Sequence, residues 1–273
     1  MAIGVLKQMQ SRSKPAALAL LLAFAAFARA ASAADLTADE VREMVAKATP
    51  VQPPALAGKD LSKLDLSGVD FKGADLAGAN LFATKLVGAN LSGTNLSGAM
   101  LDAAWIMRAN FSGADLSGAS MFGPVVYAGL DVTPADAPIF RDANFSGARI
   151  IARLSRVDLR GAKFADAKMG VDMKNQPMGQ MRIDLSGSDL SGANLSGADL
   201  NRGVLSFAKL IDADLSNANL LSADLSGANL SGANLAGADV TDADLDGAVL
   251  TGTKGLNATK GLDKARNRDK AVQ

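Results

Sequence analysis

An apolar residue returns at every fifth position from Leu61 onward, through Leu66, Phe71, Leu76 and Leu81 as far as Met121 and Val126. The same spacing resumes at Leu185 and runs through Leu190, Leu195 and Leu200 to Leu245 and Leu250, and between the two runs Phe140, Phe145, Ile150, Leu154, Leu159, Phe164 and Met169 hold the same place. Ala usually stands two residues before each centre and Asp or Asn one before; Ser and Gly follow, as in Ala193-Asn194-Leu195-Ser196-Gly197. A step of five rotates successive centres by about 140° on an α-helix and scatters them around the cylinder. On a strand an odd step sends each centre to the opposite face. The centres can share one core only if the chain turns a corner once per unit, which Gly and the Asp/Asn side chains allow. A solenoid follows.

These A-(D/N)-L-S-G units resemble the pentapeptide-repeat family. The resemblance implies an all-β fold, a right-handed four-sided β-helix with four units per coil, whose centres and the residues two before them face inward. Positions 20 apart then stack at about 4.8 Å, Leu195 next to Leu215 and Ala193 next to Ala213. The 35 units between 61 and 250 make nearly nine coils, a rod of about 40 Å. Some members of the family are acidic dimeric DNA mimics that bind gyrase and confer quinolone resistance. Only the stretch 184–250, with 2 basic against 10 acidic groups, is similar in that respect. A cytoplasmic target also sits badly with the leader described next.

Residues 1–33 read as a secretory signal peptide: Lys7, Arg12 and Lys14 precede the apolar run Ala16 to Ala28, and Ala31-Ser32-Ala33 is a small-residue cleavage site. The 13 apolar residues fall short of the roughly 20 that a spanning helix needs. Export to the periplasm is the expectation, with the membrane touched only transiently through the leader. Residues 34–58 form an N-terminal helical cap and Pro-rich linker: Thr37-Ala38-Asp39-Glu40 is a capping box, Val41, Met44, Val45 and Ala48 follow at helical spacing, and Pro50, Pro53 and Pro54 come after. The repeat fills 59–252, with breaks at 127–139 and 170–184, and a basic tail or cap, helical or frayed and able to close the last coil, occupies 253–273. Val126 to Phe140 is 14 residues, one short of three units, while Met169 to Leu185 is 16.

The chain has no His and no Cys. The usual proton shuttle near neutral pH is therefore missing, along with the thiolate nucleophile and the ordinary zinc ligands. The recurring Asp residues stand at a turn-forming place that Asn fills interchangeably. No catalytic residue and no cofactor are predicted, and the chain reads as a non-enzyme. Met169, Met173, Met178 and Met181 raise a copper(I) alternative, because thioethers suit that soft ion. The competing reading places Met in inward centres of degenerate units.

Removing the leader leaves 24 basic against 28 acidic groups, a net charge of −4 that offers nothing to nucleic acid. The charge is banded, and residues 141–182 carry 9 basic against 4 acidic groups. Arg141, Arg149, Arg153, Arg156 and Arg160 make this band a candidate patch for an anionic partner. Outward aromatics are rarer. Phe82 and Phe122 follow centres 40 apart and share a face; Val87, Met107 and Tyr127 follow centres on the next face, with Trp105 beside them. An exposed apolar patch of this kind marks contact; the competing reading has the Tyr127 to Ile139 loop fold back and cover it. The resulting expectation is an exported scaffold that binds a partner protein, its identity not specified, through Phe82, Trp105, Met107, Phe122 and Tyr127. The sequence also leaves room for a homo-oligomer.

Overall fold

A computed structural model describes residues 34–49, 53–127, 133–171 and 182–273. The leader, Met173, Met178 and Met181 lie outside the described residues, as do parts of both breaks. From Ala55 onward the residue before each centre makes a parallel bridge to its counterpart one coil later, for example Ala55 with Asp75, Asp60 with Asn80, Asp65 with Lys85 and Asp70 with Asn90. Bridges 20 residues apart between units of five give four sides per coil. The first side begins at Ala55, the second at Asp60, the third at Asp65 and the fourth at Asp70. On the first side the ladder climbs through ten levels, from Ala55 to Lys254.

Each unit closes in the same way. The centre N–H donates to the next coil, as Leu195 does to Asp214 O at 2.6 Å, and the Ala N–H closes the tight turn behind the preceding centre, as Ala198 does to Leu195 O at 3.1 Å. The Asp or Asn carboxylate or amide oxygen accepts the backbone N–H two residues on, as Asp214 Oδ1 does from Ser216 at 3.0 Å. Asn amides also donate along the ladder to the Asp one coil earlier, at 3.0 Å for Asn234 to Asp214 and 2.9 Å for Asn95 to Asp75. The interchangeable Asp and Asn are thus complementary acceptors and donors in one stack.

Leu centres and Ala residues fill the interior, with Leu195, Leu215 and Ala228 completely buried. Thr84 and Thr94 replace Ala in that layer and donate their hydroxyls to Leu61 O and Phe71 O at 2.8 and 3.0 Å, which removes the penalty of burying them. In the middle of the rod Phe replaces Leu at neighbouring centres, and the rings stack: Phe111 on Phe140 at 4.8 Å and Phe145 on Phe164 at 4.9 Å between centroids.

Helix α1 (Ala38–Ala46) opens the described chain. The capping box forms, with Glu40 N–H donating to Thr37 Oγ1 at 3.3 Å and Thr37 N–H to Glu40 Oε2 at 2.7 Å. Val41 joins the core cluster, and Arg42 donates to Asp65 O at 2.6 Å. At the other end the tail closes the last coil and is neither helical nor frayed. Residues 253–273 contain only two three-residue 3-10 turns (Leu256–Ala258 and Arg268–Lys270), and Lys254, Lys260, Arg266 and Val272 bridge to Asn234, Asp239, Asp244 and Val249 as a tenth level.

The breaks resolve by register. Val125 and Ile139 hold successive sides of one coil, third and fourth, because Trp105 bridges Val125 and Asn110 bridges Ile139. The 14-residue gap is therefore one side with an insertion at its corner, and not three shortened units. The gap from Lys168 to Asp184 is likewise one corner, between the second and third sides. The short spacing from Ile150 to Leu154 falls at that same corner. There the bridges lengthen into strands β1 (Ser120–Phe122) and β2 (Arg149–Ile151), paired in parallel with Phe122 opposite Ile151.

Candidate protein-interaction face

Where the repeat departs from Ser and Asn/Asp, side chains stand out from the rod. Phe82 and Trp105 are each 41% exposed, and Met100 is 44%. Phe82, Asp102 and Phe122 occupy one column: Ala83 N–H donates to Asp102 O and Ala103 N–H to Phe122 O, both at 2.9 Å. The shared face expected for the two Phe residues is present, with an acid between them. Asp102 Oδ1 is already occupied, accepting from Ser120 Oγ at 2.6 Å and Phe122 N–H at 2.9 Å. Trp105 lies on the third side between Lys85 and Val125. The Lys85 ammonium sits 5.8 Å from the centre of its ring, a cation–π contact, and 3.6 Å from Asp65.

Two members of the expected face are corrected. Met107 is buried, not outward. In the corner column above it Gly88 N–H takes Met107 O, but Arg108 N–H donates to Asp136 O at 2.9 Å, so the returning arm of the insertion lies where Tyr127 would have continued the ladder. Tyr127 is displaced, half-buried, and its hydroxyl donates to Ser155 O. Burial pushes that phenol above its ordinary pKa. The vertical ladder of Val87, Met107 and Tyr127 therefore does not form. Phe82, Trp105 and Phe122 remain.

The basic band is not one patch. Arg141 and Arg160 project from the fourth side and converge on Asp158, at 2.9 and 2.7 Å to its Oδ2, while Arg160 Nε adds a second bond to Oδ1 at 2.9 Å. The Arg160 guanidinium, with Arg141 beside it, holds the Asp158 carboxyl well below the usual carboxylate range. Arg149 stands on the second side, and Arg153 and Arg156 on the third and its corner. The five arginines divide between a pair on the Asp158 carboxylate and three spread over the second side, the third side and the corner beyond it. Met169 is a fully buried core centre, which removes it from any exposed thioether set. No cluster of three or more His, Cys, Asp or Glu suited to a metal ion occurs among the described residues.

Sequence reasoning missed Phe207. It is 72% exposed, with φ +57° in the left-handed region. Its ring lies over Gly227, where an added Cβ would meet Phe207 Cδ1 at 2.6 Å. The signal was Ser206-Phe207 in place of Ser-Gly, an aromatic two positions behind its centre, Leu205, and not directly behind it.

A profile for pentapeptide repeats matches in 8 copies, at 56–81, 74–113, 84–123, 181–217 and 213–252, a little over half of the chain. This protein belongs to the pentapeptide-repeat family. HetL, a pentapeptide-repeat protein involved in heterocyst differentiation regulation in the cyanobacterium Nostoc sp. strain PCC 7120, is 31% identical over 78% of this chain and 86% of its own, with a TM-score of 0.32. QnrB1, a plasmid-mediated fluoroquinolone resistance protein, is 22% identical over 74% and 89%, with a TM-score of 0.31. A pentapeptide-repeat protein of the Arabidopsis thaliana thylakoid lumen is 26% identical over 53% and 63%, with a TM-score of 0.17. No curated protein sequence matches the chain. Among the described residues no helix is long and apolar enough to cross a membrane.

Proposed function

We propose that the protein is an exported, non-enzymatic scaffold that binds another protein through the side bearing Phe82, Trp105 and Phe122. The observation that carries this reading is the exposure of Phe82 and Trp105, with Met100 between them in sequence, in a repeat that offers mostly Ser, Asn and Asp to solvent. Exposed apolar side chains in a rigid frame support contact, since each loses little conformational freedom on binding. Aromatic residues are over-represented among the anchors of protein interfaces. Export rests on the leader at residues 1–33.

Cross-linking in the envelope followed by capture tests the reading, with wild type compared against Phe82→Ser/Trp105→Ser. The expected outcome is loss of a discrete partner from the double variant at unchanged melting temperature, and identical partner sets would overturn it. N-terminal sequencing of the fractionated protein tests export, with Ala34 expected as the first residue.

A further inference from the structure

In almost every regular unit the residue three past the bridging position adopts the left-handed conformation, with φ between +54° and +75°. Glycine takes this place at 19 of the 26 such residues on three of the four corners. At the fourth, between the second and third sides, six of the seven are not glycine: Lys63, Ala83, Ala103, Arg202, Ser222 and Asp242. The backbone is the same at all four corners, so glycine would serve here as well, and side chains in this region are conformationally disfavoured. At the first levels space does not require glycine on the other corners, since a Cβ added at Gly78, Gly88, Gly98 or Gly118 would meet nothing within 4 Å. The residues directly before these turns depart as well, with Phe82, Phe122 and Leu221 where Ser is usual. The one-residue contraction between Arg149 and Arg153 falls at this corner too. One edge of four, along most of the described rod, has exchanged the least strained sequence for side chains.

We infer that this glycine-poor edge is the docking edge and that its occupant is an acidic amphipathic helix of a partner protein, an inference that rests on the partner-binding reading above. Phe82 and Phe122 lie two coils apart, about 10 Å, close to the roughly 10.5 Å between positions i and i+7 of a helix. A helix laid along the edge can therefore seat an apolar side chain against each ring. Next to Phe122 the rim carries three basic groups, Arg149, Arg153 and Lys168, against one acid, Asp184, which bridges Arg153. Phe122 pairs with Ile151, which Arg149 and Arg153 flank two residues to either side, and Lys168 bridges Arg149 one level on. Asp102, between the two Phe residues, spends its carboxylate on Ser120 and the Phe122 N–H. Acidic groups beside the helix's apolar row complement this rim.

The test uses the full chain and two synthetic helical peptides of about 20 residues without Trp, each with Leu at every seventh position, one flanked by Glu and the other by Lys. Trp105, the single Trp of the chain, reports contact by its emission, and labelled peptide reports affinity by anisotropy. The Glu peptide is expected to bind, and more weakly as salt rises. Phe82→Ser/Phe122→Ser should lower its affinity by about tenfold or more, Arg149→Glu/Arg153→Glu should transfer preference to the Lys peptide, and Ser117→Asp on another corner should change nothing. Melting curves verify that each variant folds. Equal binding of both peptides, indifference of the Glu peptide to the Phe82/Phe122 pair, or no binding by either would overturn the inference. The envelope capture can still succeed in those cases, which separates this failure from that of the broader reading.

Discussion

At the scale of single residues the repeat separates what supports the coil from what the coil merely displays. Leu215 is completely buried, whereas Ser216 is partly exposed at the turn that follows. Leu215→Asp should therefore exceed the roughly 2–5 kcal/mol of a Leu→Ala cavity and melt the neighbouring coils. Ser216→Ala should stay within about 0.5 kcal/mol; equal shifts in the two melting curves would refute the inward and outward assignment. Phe207→Gly should likewise change stability by no more than about 0.5 kcal/mol, because the loss of contact with Gly227 is offset by release from an unfavourable φ. A clear drop in its melting temperature would show that the ring supports the coil. The alternation of inward and outward positions was legible in the spacing of five, since it depends only on local periodicity. The burial of Met107 was not: the residue after it, Arg108, bonds to Asp136, far along the chain, and nothing in the local unit announces that contact.

At the scale of elements, helix α1 and the corners respond to different rules. The helix start was readable because a capping box is a four-residue signal that acts through its own backbone. Thr37→Ala should destabilise the protein by about 1 kcal/mol, measured by thermal unfolding, and an unchanged melting point would mean that the Val41 and Arg42 contacts hold the helix without its cap. Which corner carries each insertion could not be read along the chain. Counting apolar centres across 127–139 suggests nearly three units, and only the bridge from Asn110 to Ile139 shows that a single corner has been lengthened. The glycine-poor edge was hidden for the same reason, since successive levels along it are 19, 20, 29 or 31 residues apart and align only once the register is known.

At the scale of the whole solenoid, the acid response follows from the ladder carboxylates. Hydrogen bonds hold Asp65, Asp239 and Asp244 below the ordinary carboxylate pKa, chiefly from Ser67, Thr241 and Asn267, and ion pairs do the same for Asp158. A carboxyl whose folded pKa is depressed contributes stability that is fully present above its unfolded pKa of about 4 and is lost as pH falls through the folded value. The melting temperature should be level near neutrality and fall below about pH 4, with Asp158→Asn flattening part of that decline; a melting temperature that rises on acidification would contradict the ladder. The two lengthened corners carry a different consequence, for chain entropy. Closing a coil over 31 residues instead of 20 adds only about 0.4 kcal/mol of loop-closure free energy. New segments can therefore be spliced into a corner almost free of thermodynamic penalty, while the four-sided core above and below keeps its register. The architecture is open to insertion at its corners and closed to it along its sides.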